Sequence, residues 1–382
     1  MTDFNKKYDT GLGESLDNAI TRLDAFLSDG AIEFIAGLWD PEIGGFYYSQ
    51  SGRDYKGFSP NINSTCQIVQ MLSLGFIKGL KGSLHEKLPK DIVDKLLAFS
   101  TNTGPCEKVM KEKLGLLPAT KSSMKGWAGV KPAQPKKYRD VYEVIDLIDN
   151  VFSFKEPVTK LEEELVNIKN SSLLNEMFDY LDRIAFKKSD GKRLAEETSR
   201  IGLMYNSEGR VILERRKLIE RIVELILSDE CSGSNVRCVC SAWAALKVLL
   251  QNTDYQDNGD KADMYSYVRS RVGAMIDKTI EILSVFKKSD GGYSYYPNYA
   301  PNEMSGKRVA LGISEGDVNA TFVVLHGVRG NVFLSLGLTV PPLLPEESFT
   351  ELVDMMHSAK PIKKRRIPLK HLIKKFIKRL KA

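Results

Sequence analysis

Apolar residues at Leu16, Ile20, Leu23, Phe26 and Leu27 recur every three or four positions, the spacing of one helix face, and predict a helix over residues 14–40. The same period predicts a helix beginning near Asn61 and others over 91–100, 140–152, 158–186, 193–203 and 211–229. Strand-like alternation is confined to one mild candidate, Arg210–Leu213. A proline- and lysine-rich stretch, residues 115–137, interrupts the helical pattern. The pattern therefore reads as all-α.

Two of these helix starts are versions of one unit. Residues 314–325 read S-E-G-D-V-N-A-T-F-V-V-L, and residues 61–72 read N-I-N-S-T-C-Q-I-V-Q-M-L. Asn61, Ile62, Asn63 and Thr65 fall against Asp317, Val318, Asn319 and Thr321. Asp and Asn suit the position before a helix, because their side-chain oxygen accepts the first unpaired N–H groups. A glycine-aromatic turn precedes each: Gly44-Gly45-Phe46-Tyr47-Tyr48 and Gly291-Gly292-Tyr293-Ser294-Tyr295. A looser third copy starts at Asn235, and the hexapeptide F-K-K-S-D-G occurs at Phe186–Gly191 and again at Phe286–Gly291. Repeated turn-plus-helix units with small polar entries suggest an α/α toroid, a barrel of inner and outer helices, over residues 1–358.

Composition supports a globular chain, with 42% apolar residues in 382. The first residues carry no apolar leader core, and no uncharged apolar run reaches the roughly 18 residues of a membrane span. The five cysteines, Cys66, Cys106, Cys231, Cys238 and Cys240, suggest free thiols in a cytoplasmic setting.

The net charge of +6 conceals a division. Residues 360–382 hold 11 Lys/Arg and no acid, leaving 44 basic against 49 acidic residues, about −5, in the rest. Within that segment Leu369, Leu372, Ile373, Phe376, Ile377 and Leu380 share one helical stripe, with lysines and arginines on the other faces. Lys363-Lys364-Arg365-Arg366 lies just upstream. A C-terminal amphipathic helix of this kind, residues 359–382, reads as a binder of anionic membrane surfaces, with Lys363, Lys364, Arg365, Arg366, Leu372 and Phe376 making the contact. A nucleic-acid arm is disfavoured because Phe376 is its only aromatic. A partner helix or docking on the chain's own body stay open.

Candidate chemistry sits at the repeat. Asp317 and Glu315 are the carboxylates at the second helix start, readable either as a cap with a loop acid or as a catalytic acid pair whose pKa is raised by burial. Asn63 and Asn319, in matched positions, either touch a ligand or bond across the repeat. Arg53-Asp54 is either an exposed turn pair or a ligand clamp. Arg237, a charge in an apolar helix, calls for an acid or anion partner if buried. Tyr293 either packs or lines a pocket.

These residues carry a resemblance. Lys288–Tyr293 resembles the aromatic-glycine turn of the terpenoid-cyclase and protein-prenyltransferase superfamily. Asp317–Thr321 is similar to the D-x-D-D-T helix start of class II terpene cyclases, and Asn235–Ala242 to the D-V-R-x-x-Y-C-A segment of prenyltransferase β-subunits. The resemblance implies a toroid and an isoprenoid or lipid-linked substrate. With the residue readings above, the candidate catalytic residues are Asp317 and Glu315, and the candidate substrate contacts are Asn63, Asn319, Arg237, Arg53, Asp54 and Tyr293. Asn319 stands where those cyclases use a proton-donating aspartate, and the prenyltransferase zinc ligands are missing, so no metal-ligating residues are named and the cofactor stays unknown. Leu38–Phe46 also resembles the W/L-D-P-x-x-G-G-F turn of acylglucosamine-epimerase-like barrels, which implies a carbohydrate-active alternative. A non-catalytic toroid that binds a lipid or a protein is the third.

Overall fold

In the computed structural model, residues 8–103, 106–118, 141–152, 171–187, 189–252, 258–304 and 306–368 are described. They are mostly helical, as the periodicity predicts. The helices are α1 (Glu14–Ser28), α2 (Ala31–Gly37), α3 (Gln50–Asp54), α4 (Ile62–Ser73), α5 (Leu84–Lys87), α6 (Lys90–Asn102), α7 (Glu107–Leu114) and α8 (Val141–Phe152). They continue with α9 (Ser171–Ile184), α10 (Gly191–Ser207), α11 (Arg215–Leu227), α12 (Arg237–Gln251), α13 (Asn258–Arg269) and α14 (Val272–Phe286). The last are α15 (Val318–Phe322), which runs on as a π-helical stretch Val323–Val328, then α16 (Arg329–Ser335) and α17 (Glu347–Ser358). Two two-residue antiparallel ribbons complete the set, β1 (Trp39–Asp40) with β2 (Gly45–Phe46) and β3 (Glu303–Met304) with β4 (Lys307–Arg308).

The helix expected over 14–40 is two. Gly30 takes φ +70, which ends α1 and enters α2, and its α-carbon passes so close to Gly291 that neither position has room for a side chain. Arg210–Leu213 forms no strand. The Ile212 N–H instead donates to Asn252 Oδ1 at 2.8 Å, so a side chain takes the place of a ladder partner. Much of the stretch expected helical over 158–186 lies outside the described residues, as does the amphipathic stripe from Leu369 to Leu380 that contains Leu372 and Phe376.

The chain divides into two compact units. The first comprises Met1–Leu23, Lys131–Leu283 and Gly327–Val340. Its centre is α12, packed by α10, α11 and α16. Trp243 is fully buried there, and its indole N–H donates to Thr279 Oγ1 at 2.9 Å. Glu197, also fully buried, accepts from Arg193 Nε at 2.6 Å and from Ser189 Oγ at 2.5 Å, a partnered charge of the kind an interior tolerates. Cys231 and Cys238 are paired in a disulfide, against the expectation of free thiols. The turn before α12 brings their α-carbons to 5.4 Å, within bridging range.

The second unit comprises Asp24–Val130, Ser284–His326 and Pro341–Ala382. Here α4 packs against α7, α15 and β2, and α2 against α17. The two closely matched repeat copies therefore share this unit, whereas the looser copy at Asn235 starts α12 in the first.

Candidate functional site

Both repeat copies are built by the same bonds. In the first, the Phe46 N–H donates to Thr65 Oγ1 at 2.9 Å and the Asn61 N–H donates to the Phe46 carbonyl at 3.0 Å. In the second, the Tyr293 N–H donates to Thr321 Oγ1 at 3.0 Å and the Asp317 N–H donates to the Tyr293 carbonyl at 2.8 Å. The aromatic after the glycines is thus held by the helix that follows it. The second glycine of each turn abuts a ring: a side chain at Gly45 would meet Phe99 at 2.8 Å, and one at Gly292 would meet Phe34.

The helix caps differ. Asn61 Oδ1 accepts from the N–H groups of Asn63 at 2.8 Å and Ser64 at 3.2 Å. Asp317 is completely buried and accepts from Ala320 N–H at 2.8 Å, Tyr295 N–H at 2.8 Å and Tyr48 Oη at 3.0 Å. Burial pushes its pKa up to about 7 against the pull of those three donors. Glu315, likewise buried, accepts from Ser51 N–H at 2.7 Å and Ser51 Oγ at 2.5 Å, and burial raises its pKa too. The Val318 N–H donates to the Tyr48 carbonyl at 3.0 Å. Both acids therefore clamp the first copy's turn and α3 to the second copy's helix start.

The remaining expected contacts separate. Asn319 Oδ1 accepts from Gln67 Nε2 of α4 at 3.0 Å, a bond across the repeat, while Asn63 lies buried beside Asn61 on the same helix start. Ser64 Oγ and Gln67 Oε1 are buried with no hydrogen-bond partner. Tyr293 is core: it is fully buried and meets Phe26 edge-on, with ring centroids 6.2 Å apart. Arg237 is exposed as the first residue of α12, so the desolvation that would demand a partner does not arise.

Arg53 and Asp54, by contrast, fall beside part of the basic run. They end α3, with Arg53 Nε 2.7 Å from Asp54 Oδ1 and Arg53 Nη1 donating to the carbonyl of Gly37 at the end of α2. Past α17 the chain runs extended over α3: Arg365 N–H donates to the Asp54 carbonyl at 2.7 Å, and Lys56 N–H donates to the Arg365 carbonyl at 2.9 Å. Lys364 turns inward, its ammonium 4.6 Å from the Tyr47 ring centroid and bonded to the Phe58 carbonyl. That contact places Lys364 on the body, where the sequence reading had it on a membrane. Lys363, Arg365 and Arg366 are exposed. A cleft of about 380 Å³ opens between this strap and α2, lined among others by Trp39, Arg53, Asp54, Lys360, Lys363 and Arg365. Lys360 was not among the expected contacts; its signal was its place at the start of the acid-free segment.

Among the described residues no group of three or more His, Cys, Asp or Glu is placed to hold a metal ion, and no helix is long and apolar enough to cross a membrane. Compared with family models, characterised proteins and solved structures, the chain shows no significant match.

Proposed function

We propose that this chain is a non-catalytic lipid-binding protein that docks on anionic membrane surfaces through the strap at 360–366 and the amphipathic stripe beyond it. In this reading α4 and α15 are neighbouring inner helices of an α/α toroid that serves as the platform. The observation that carries it is the strap itself. Lys364 and two backbone bonds pin it down, while Lys363, Arg365 and Arg366 stand exposed with no acidic partner among the described residues. Each Lys or Arg near such a surface contributes on the order of 1 kcal/mol, and the stripe adds apolar burial that salt does not screen. Liposome co-sedimentation tests this. Removing Leu369–Ala382 and substituting Lys363, Arg365 and Arg366 by alanine, with Lys364 kept, releases the protein from anionic vesicles. Undiminished pelleting of that variant overturns the reading.

A second reading is the enzyme on an isoprenoid or lipid-linked substrate. It draws on the Asp317 pKa near 7, suited to a proton donor, and on the unpartnered buried oxygens of Ser64 and Gln67 on α4. It requires Asp317 to act while engaged by three donors. Turnover of such a substrate that is lost in Asp317→Asn favours it over the binding reading.

A further inference from the structure

We propose that the cleft between α2, α3 and the strap binds the phosphomonoester headgroup of a membrane lipid, a site that deepens, and rests on, the membrane reading above. Its lining carries four cations, Arg53, Lys360, Lys363 and Arg365, against one carboxylate, Asp54. That carboxylate is already engaged by Arg53 Nε. None of the three strap cations has an acidic partner among the described residues, so the cleft's positive charge is uncompensated.

Arg53 gives the site its geometry. Asp54 and the Gly37 carbonyl hold its guanidinium through Nε and Nη1, and Nη2 has no acceptor among the described residues. Held at Nε and Nη1, the guanidinium keeps Nη2 free and pre-oriented for a phosphate oxygen, with little rotamer freedom left to lose. The strap supplies the rest. Its backbone is tied at Arg365, Lys364 turns onto Phe58 and Tyr47, and the exposed Lys363 and Arg365 line the cleft. A dianionic monoester answers this cluster better than the single charge of a phosphodiester. Trp39 and Ile362 add apolar wall, and a cleft of about 380 Å³ has room for a headgroup.

The test uses the full chain and two vesicle types, phosphatidylcholine with phosphatidic acid and phosphatidylcholine with phosphatidylserine, adjusted to equal surface potential. The wild type is expected to bind the phosphatidic acid vesicles on the order of tenfold more tightly. Lys363→Ala with Arg365→Ala weakens binding to both vesicle types and abolishes the preference between them. Arg53→Lys keeps the charge, loses the planar fork, and also abolishes it, with circular dichroism confirming that each variant is folded. Equal affinity for the two vesicles, or a preference that survives in both variants, overturns the proposal. If neither vesicle is bound the membrane reading fails by itself, and titration calorimetry with glycerol 3-phosphate then judges the cleft. Saturable heat that disappears in the double variant overturns the lipid source while upholding the phosphomonoester site; absence of heat overturns the site.

Discussion

The two repeat copies in the second unit share a scaffold and differ in chemistry. Both hold an aromatic N–H on a helix-borne threonine, Thr65 or Thr321, and both enter the helix through a side-chain cap. The first copy caps with a neutral amide that serves only its own helix. The second caps with a buried acid whose oxygens also take Tyr48 and Tyr295, with Glu315 beside it on Ser51. A repeat can therefore keep its fold with an uncharged cap. The charge in the second copy is an addition, and in this structure it joins one copy to the other.

The comparison breaks most sharply at the turns. Gly291 has φ +84 and faces the Gly30 backbone, while Gly44 has φ +79 and a side chain there would meet the Lys95 backbone at 2.6 Å. Gly291→Ala and Gly44→Ala are each expected to lose about 3 kcal/mol or more of unfolding free energy in urea titration, by backbone overlap and left-handed strain together. A loss at only one of them would show that the turns are not equivalent.

Capping should separate the copies. Asp317→Ala strands three buried donors and is expected to lose about 3 kcal/mol, whereas Asn61→Ala loses about 1 kcal/mol. Equal losses would make Asp317 an ordinary cap. The charge adds a pH signature. Because the folded pKa of Asp317 is raised to about 7 from 3.8, its unfolded form ionises first. Stability from this group is complete below about pH 4 and declines as pH rises to about 7, and the raised Glu315 acts in the same direction. Asp317→Asn should flatten that decline, while Asn61→Asp should reproduce it only weakly, because Asn61 is half-buried where Asp317 is fully buried.

The smallest effect is the shared one. Thr65→Val and Thr321→Val each leave an aromatic N–H unpaired and should lose about 1–2 kcal/mol by the same amount in both copies. A clear inequality would mean that the matched bonds carry unequal load.

The repeat was legible because its residues act locally: Asn61 and Asp317 cap helices one turn away, and glycine pairs mark the turns. The hexapeptide F-K-K-S-D-G misleads for a related reason. After Phe286 it is followed by Gly292-Tyr293 and makes the turn, with Asp290 accepting from Gly292 N–H at 3.0 Å. After Phe186 it is followed by Lys192-Arg193, and Gly191 simply opens α10. What the sequence could not show was distance in space. Ser51 reaches Glu315 across 264 positions and Lys364 reaches Phe58 across 306, and no local pattern announces such pairs. The bland side of several two-way readings is what the geometry displays: Asp317 caps, Asn319 bonds across the repeat, and Tyr293 packs. Arg53 and Asp54 meet the basic segment through the chain's path and not through any motif.

We propose that the buried acids hold the fold while the basic strap binds the membrane. Co-sedimentation of two full-length variants with anionic vesicles tests it most directly. Asp317→Asn, once shown to be folded, is expected to pellet like the wild type, while Lys363→Ala with Arg365→Ala and Arg366→Ala loses on the order of tenfold or more in affinity. Loss of binding in Asp317→Asn together with full binding in the strap variant would contradict it.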